Sequence, residues 1–245
     1  MISFVFYFSS KRLDNLNQTL RFLKNRENLD ENEVVLVCND EINSNFSIPN
    51  YKIINLNLQS YNKPKMCNVG ISEASNKIVA LLDSDRILPA NYFKNNAKKL
   101  NSKEFISTTN LIKLIKDYSD EEIEQNKFEY FEDAKSKKGE ILKKNLFSGN
   151  TLFFKQDYLD CGGMDESFVG YGFADNDMTL NVISKGYKAI WLKDLEMHLN
   201  HNVEFLYENK IINEEIEFKK VSRANLNKFI EKWNYKNISN FIKIT

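Results

Sequence analysis

Short apolar runs alternate with segments of helical spacing through the first hundred residues of this 245-residue chain. The runs predict strands, and the spacing between them predicts helices. The predicted strands are 3–8, 34–38, 51–58 and 78–82, and the predicted helices are 14–25, 65–75 and 91–100. Strands interleaved with helices are typical of an α/β domain whose central sheet is mostly parallel and flanked by helices. Right-handed crossovers would bring the carboxyl ends of the strands to one edge, where ligands bind in such folds.

The rest of the chain is less regular. A charged segment at 110–147 interrupts the alternation, and a solvated helix with a loop is favoured there over a lid. Apolar runs predict further strands at 151–154 and 189–192, and helical spacing returns at 178–183. The last forty residues also have a helical pattern.

Composition excludes several classes of protein. Basic and acidic residues both total 34, so the charge gives no reason to expect a nucleic-acid partner. Cys38, Cys67 and Cys161 form no CxxC pair, so we expect free thiols in a reducing compartment rather than disulfides or structural zinc. The apolar start at 1–8 is too short for a signal peptide or a spanning helix, which predicts a cytoplasmic protein.

The apolar run at 78–82 ends in Asp83, Ser84 and Asp85. Residues i and i+2 of a strand point to the same side, so the two carboxylates can converge beyond its end. Hard oxygen ligands suit Mg²⁺ or Mn²⁺, and such an ion suits a diphosphate. An acidic turn is the alternative, because Asp and Ser are ordinary turn residues. The motif alone favours neither interpretation.

The two histidines of the chain, His198 and His201, lie three residues apart. They would share one face of a helix, and in an irregular turn after a strand both imidazoles could reach one metal ion. For an isolated pair, surface histidines on a loop are favoured, because metal sites need several convergent ligands. Together with the carboxylate pair, the imidazoles would fit Mn²⁺ better than oxygen ligands alone.

A glycine-rich turn leads into an acidic helix start. Asp175 and Asp177 are candidates for a general base that takes a proton from a hydroxyl, although acidic residues also favour the dipole of a helix in its first turn. Gly170 and Gly172 would let the backbone approach a ligand closely, and Tyr171 between them could stack on a sugar ring. Shaping of a turn alone is the other interpretation.

Taken in order, the DSD, SGN, GGMDE, GYGFADNDM and HxxH motifs resemble those of glycosyltransferases of the GT-A fold. The nearest resemblance is to the branch of family 2 that shares a C-terminal region with beta-1,4-galactosyltransferases and chondroitin-type polymerases. It covers about residues 1–205 and is strongest over 162–201. It implies a GT-A (Rossmann-like) domain at 1–205 followed by a C-terminal helical extension at 206–245.

The resemblance also implies roles for single residues. Asp85, His201 and His198 would hold Mn²⁺ or Mg²⁺, and Asp175 would be the catalytic base. The implied nucleotide contacts are Arg12, Asp40, Lys65, Asn68, Asp83 and Ser84. The implied sugar and acceptor contacts are Ser148, Gly149, Asn150, Tyr171, Gly172 and Asp177. The chain departs from the family pattern at Ala174, where the family usually has Glu.

The implied activity is a metal-dependent, inverting transfer of a galactose or N-acetylgalactosamine type of sugar. The donor would be a UDP-sugar, and the acceptor a glycan or lipid-linked glycan in capsule or lipopolysaccharide synthesis. Two alternatives are a sugar nucleotidyltransferase, which should carry a glycine-rich loop where this chain has Phe8 to Arg12, and a non-catalytic sugar-nucleotide-binding relative. Packing of the tail on the domain is favoured over peripheral contact with the inner face of a membrane.

Overall fold

The computed structural model describes residues 1–132, 145–202, 204–213 and 215–241. Its strands are β1 (Ile2–Phe8), β2 (Glu33–Cys38), β3 (Tyr51–Asn55), β4 (Ile78–Asp83), β5 (Arg86–Ile87), β6 (Glu104–Leu114), β7 (Tyr130–Glu132), β8 (Asn150–Phe154), β9 (Lys188–His198), β10 (Phe205–Tyr207) and β11 (Lys210–Ile212). Its helices are α1 (Leu13–Arg26), α2 (Lys63–Glu73), α3 (Tyr92–Ala97), α4 (Asp120–Glu124), α5 (Lys155–Asp160), α6 (Ala174–Ser184) and α7 (Glu215–Phe241). The predicted α/β class is confirmed.

A large sheet forms the centre of the molecule. In the described part of the chain, nine strands join it in the order β3-β2-β1-β4-β8-β6-β9-β5, with β7 beside β6. Strands β3, β2, β1 and β4 run parallel, as do β6 and β9. β8 lies antiparallel between β4 and β6, and β5 lies antiparallel beside β9. The sheet is therefore mixed. Apolar periodicity predicts where strands lie in the sequence, but it does not give their direction.

Helices cover both faces of the sheet, which explains the continuous apolar sequence of β1. Phe4 and Phe6 pack in the cluster that includes α1 and α3, whereas Val5 belongs to the cluster on the α2 face. Helix α2 approaches β1 and β2 closely at Gly70, where a Cβ atom would lie 2.8 Å from Val37 Cγ2. This close packing fixes the position of α2, whose first residues lie at the edge of the sheet.

The second half of the sheet extends further than the sequence predicted. The strand predicted at 189–192 continues to His198, and it pairs with β6 along its length. Residues 193–195 are polar or exposed, so the apolar pattern ended too early. The charged segment at 110–147 begins with the last residues of β6 and continues through α4 and β7. Residues 133–144 lie outside the described part of the chain.

The C-terminal region begins with a hairpin of β10 and β11, and helix follows only from Glu215. α7 is interrupted at Asn234, whose φ of 41° and ψ of 117° are not helical. Phe229 of α7 packs against Phe168 and Leu180, so this helix lies on the domain. The division of the chain at residue 205 stays a prediction.

Among the described residues, none of the helices combines the length and apolar character that a membrane span requires.

Candidate active site

A cavity of about 640 Å³ opens at the carboxyl ends of β1 and β4, next to the end of β9. The acidic and imidazole groups predicted to act together line it: Asp83, Asp85, Asp175, His198 and His201. Cationic side chains also line it: Arg12, Lys63, Arg86 and Lys113. The edge of the sheet predicted to bind ligands therefore carries charged groups of both signs.

Asp85, His198 and His201 form a candidate metal centre. One ligand atom from each lies within 4.8 Å of the others. His201 Nε2 is 2.9 Å from Asp85 Oδ2, and His198 Nε2 is 3.7 Å from the same oxygen. The two Nε2 atoms are 3.3 Å apart. One carboxylate oxygen and two imidazole nitrogens that converge in this way fit a divalent first-row cation such as Mn²⁺.

Burial and nearby charges hold these ligands in the protonation states that a cation requires. Burial, followed by the charge of Arg86, lowers the pKa of His198 to about 3, so its imidazole is neutral. Burial alone would raise the pKa of Asp85, but the hydrogen bond with His201 and the charge of Arg86 hold that pKa below its usual range. Asp85 is therefore ionised at neutral pH.

Backbone pairing brings the DSD motif and the histidines together across more than a hundred residues. Arg86 in β5 is the register partner of His198 in β9. Just beyond this pair, the backbone N–H of Leu199 donates to Asp85 O at 2.9 Å. His198 is the last residue of β9 and His201 lies just beyond it. This is the arrangement at the end of a strand, and not the one on a helix face, that the sequence allowed.

A buried arginine, which the sequence interpretation did not single out, lies against both carboxylates of the DSD motif. Arg86 Nη2 is 3.2 Å from Asp83 Oδ2, and Arg86 Nε is 3.2 Å from Asp85 Oδ1. Burial raises the pKa of Asp83 well above its usual value, against the opposing effect of Arg86. Burial also raises the pKa of Glu196, 3.8 Å from Arg86 Nε, to about 7.

Lys63 links the DSD motif to Asp175. Its Nζ is 2.7 Å from Asp175 Oδ1 and 3.6 Å from Asp83 Oδ1, and it donates to Phe147 O at 2.8 Å. The helix was predicted to begin at residue 65, so Lys63 was not considered. Asn62 followed by a proline at the second helical position was the available signal for an earlier start, and the Asn62 side chain does cap α2.

The Gly170–Gly172 loop forms another part of the cavity lining. Tyr171 is half exposed, and its ring lies 4.4 Å from that of Phe218 in α7. The side chain of Asn225, also in α7, is buried and donates to Val169 O at 2.9 Å and to Tyr171 O at 3.1 Å. The C-terminal helix therefore holds the loop that presents Tyr171 to the cavity.

Most of the predicted site residues lie at the cavity. Besides those already described, Arg12, Ser84, Ser148 and Gly172 line it. The described residues of its lining do not include six others: Asp40, Lys65, Asn68, Gly149, Asn150 and Asp177. The contacts at these six positions stay predictions.

Three of these side chains form hydrogen bonds within the protein. Asp40 Oδ2 accepts hydrogen bonds from the backbone N–H and the hydroxyl of Ser10 and caps the turn after β1. Asn68 Oδ1 accepts from Tyr158 Oη at 2.6 Å, which ties α2 to α5. Asn150 Oδ1 accepts from the buried Tyr92 hydroxyl.

Asp177 and Gly149 support the site from outside. Asp177 is buried and accepts from Lys232 Nζ at 2.9 Å and from Trp233 Nε1 at 2.7 Å. It lies two residues after Asp175 in α6, about 200° further around the helix, so the two carboxylates face different ways. The backbone oxygen of Gly149 accepts from Asp83 N at 2.8 Å.

Comparisons with known proteins bear on this geometry. Residues 133–204 match the family model described as the N-terminal domain of galactosyltransferase. No curated protein sequence matches the chain significantly. Solved structures with similar folds include GalNAc-T7 with UDP, GalNAc and Mn²⁺, which is 11% identical with a TM-score of 0.57 over 82% of this chain and 43% of that one.

Two further solved structures agree with the first. Staphylococcus aureus TarS 1-349 with UDP-GlcNAc is 14% identical, with a TM-score of 0.56 over 94% of this chain and 67% of that one. The mannosyltransferase PcManGT from Pyrobaculum calidifontis, with GDP-Man and Mn²⁺, is 16% identical, with a TM-score of 0.53 over 82% of this chain and 57% of that one. The chain thus spans between 43% and 67% of these solved chains. The predicted resemblance is confirmed: the chain has the GT-A fold, and the comparisons support a glycosyltransferase.

Proposed function

We propose that this chain is a metal-dependent, inverting glycosyltransferase that uses a UDP-sugar. The observation that carries the proposal is the convergence of Asp85, His198 and His201 in the same cavity as Asp175. The similar solved structures support it, because GalNAc-T7 contains UDP with Mn²⁺ and TarS contains UDP-GlcNAc.

Asp85, His198 and His201 would hold Mn²⁺ in preference to Mg²⁺, because imidazole nitrogens suit Mn²⁺ better. When bound, the ion would neutralise the charge that develops on the departing diphosphate. Arg12 is one of the cationic side chains that line the cavity, and its guanidinium donates to Asn202 O at 2.6 Å. Arg12, Ser84 and Asp83 are the proposed nucleotide-side residues that line the cavity.

Asp175 would remove the proton from the acceptor hydroxyl. That oxygen would attack the anomeric carbon from the face opposite the diphosphate, and the bond to the diphosphate would break as the glycosidic bond forms. Lys63 contacts Asp175 Oδ1 at 2.7 Å and fixes the orientation of the carboxylate. Tyr171 would contact a ring of the acceptor, because its half-exposed aromatic face lines the same cavity.

Galactose and N-acetylgalactosamine are the first donor sugars to test, because residues 133–204 match a galactosyltransferase model. Ser148 and Gly172 line the cavity where the sugar and the acceptor would meet. The proposed acceptor is a glycan or a lipid-linked glycan in capsule or lipopolysaccharide assembly, and this pathway follows from the family resemblance alone.

The experiment is a calorimetric titration of UDP into the protein with and without Mn²⁺, followed by a panel of nucleotide sugars scored for Mn²⁺-dependent hydrolysis. We expect UDP binding that depends on Mn²⁺ and is lost in Asp85→Asn. Binding should be retained in the matched control Asp30→Asn, because Asp30 is exposed and does not line the cavity. UDP binding that does not depend on Mn²⁺ would favour the alternative that the chain is a non-catalytic sugar-nucleotide-binding protein. Release of pyrophosphate from a nucleoside triphosphate would instead identify a nucleotidyltransferase.

A further inference from the structure

Arg86 contacts both carboxylates of the DSD motif, but the remaining contacts of Asp83 and Asp85 differ. Both oxygens of Asp83 face cations: Oδ2 is 3.2 Å from Arg86 Nη2, and Oδ1 is 3.6 Å from Lys63 Nζ. Asp85 gives only Oδ1 to Arg86, at 3.2 Å, and turns Oδ2 toward the two histidines. Asp83 accordingly lies outside the group of residues whose ligand atoms converge.

The guanidinium is built into the structure rather than carried on its surface. The Arg86 side chain is 8% exposed, and its backbone lies in β5, paired with the strand that carries His198. Glu196 of the same strand reaches to 3.8 Å from Arg86 Nε and is not among the residues that line the cavity. A planar, permanently charged group in this position can hold two carboxylates at fixed angles, which an ammonium group does less well.

The number of carboxylates at a cation affects which ion it prefers. A site with one carboxylate and two imidazoles favours Mn²⁺, whereas added carboxylate oxygens move the preference toward Mg²⁺ and Ca²⁺. Asp83 ends β4 and Asp85 lies in the turn before β5, and Arg86 contacts both carboxylates. These contacts hold Asp83 Oδ2 at the guanidinium rather than at the metal centre.

We propose that Arg86 is a positioning residue that sets the selectivity of the metal centre by holding Asp83 out of the coordination sphere. This inference rests on the proposed function, because it requires the centre at Asp85, His198 and His201. Its consequence is that loss of Arg86 changes which cation is preferred, rather than only weakening all cations together.

The test measures the affinities of the full chain for Mn²⁺ alone and for Mg²⁺ alone, by calorimetry and by the electron paramagnetic resonance spectrum of bound Mn²⁺. In Arg86→Gln we expect the preference for Mn²⁺ over Mg²⁺ to fall about tenfold, within the range typical of changes to groups that orient metal ligands. Arg86→Lys keeps the charge and should recover part of the preference. A folded Arg86→Gln protein with the wild-type preference and spectrum overturns the inference.

A second variant decides the matter if Arg86→Gln does not fold. With Arg86 in place, Asp83→Asn should leave the affinity for Mn²⁺ and the Mn²⁺ spectrum as in the wild type, since Asp83 is not a ligand. A loss of Mn²⁺ binding in Asp83→Asn overturns the inference while leaving the metal centre standing. If Asp85→Asn binds Mn²⁺ normally, or the wild type binds none, the proposed function fails as well.

Discussion

The two walls of the cavity are held in place by different means. On the metal wall, Asp85 and His198 sit at the ends of paired strands, and their positions follow from the backbone register of β5 and β9. On the loop wall, formed by Gly170–Gly172, Tyr171 lies outside the sheet, and side chains of α7 hold it. Sheet pairing fixes a ligand within a cooperative backbone ladder, whereas a loop held by side chains depends on a few separate hydrogen bonds.

The two walls would also have different roles in the reaction. The metal wall would handle the diphosphate, and the loop wall would receive the acceptor. Asp175 links them, since it lies in the first turn of α6, shortly after the loop, and contacts Lys63, which also faces Asp83. We therefore expect changes to act separately on the two walls, with Asp175 as the point where transfer itself is lost.

The largest effect is expected for Asp175→Asn. The amide has the same shape but does not take up the acceptor proton, so the Mn²⁺-dependent turnover of the UDP-sugar selected by the panel should fall by about 10² to 10⁴-fold. Calorimetry should find unchanged binding of UDP with Mn²⁺, because Asp175 is not among the converging ligands.

Asp165→Asn is the matched control, since Asp165 lies before α6 and pairs with Lys232 instead of Lys63. Its turnover should stay close to that of the wild type. Full turnover in Asp175→Asn, with donor binding intact, would remove Asp175 from the role of base and leave the metal wall unaffected.

Asn225→Ala should produce the next largest effect, and it acts on the loop wall alone. The change leaves Val169 O and Tyr171 O without the donors that now reach them, at a cost of about 1 to 3 kcal/mol in the free energy of unfolding. Denaturant titration measures this loss. Binding of UDP with Mn²⁺ should not change, because Asn225 contacts neither the strand ends nor the histidines.

The control for this prediction is Asn227→Ala, which removes an exposed asparagine from the same helix. Exposed substitutions of this kind usually change stability by no more than about 0.5 kcal/mol. If Asn225→Ala weakened UDP binding as strongly as it weakened folding, the two walls would not be independent.

The same contrast explains what the sequence could predict. Asp83, Asp85, Asp175 and the histidine pair were found because each lies in a short local pattern at the end of a strand or the start of a helix. Arg86 follows the DSD motif directly but has no pattern of its own. Its role comes from burial against Glu196, 110 positions later in the chain.

Contacts between distant segments were the ones that local patterns missed. Lys63 was overlooked because helix boundaries are uncertain by a few residues. Asp177 was placed in the site by the resemblance, whereas Trp233 and Lys232 of α7 bind it. A helical pattern predicts that α7 exists, but it does not give the surface on which the helix packs.

The smallest effect concerns the pH dependence of the contact between α7 and the turn before α6. Hydrogen bonds from Lys232 and Ser167 outweigh the effect of burial and lower the pKa of Asp165 from its usual 3.8 to about 2. A lowered pKa means that the pair stabilises the fold above about pH 4 and loses this contribution as the pH falls toward 2. At pH 6, Asp165→Asn should lower the free energy of unfolding by less than about 1 kcal/mol, because the pair is partly exposed. The difference from the wild type should shrink between pH 4 and pH 3.

A double-mutant cycle with Lys232→Gln measures the coupling free energy between Asp165 and Lys232 at each pH. A coupling free energy that stays constant from pH 6 to pH 3 would show that the charge of Asp165 does not contribute to the contact between α7 and the turn before α6.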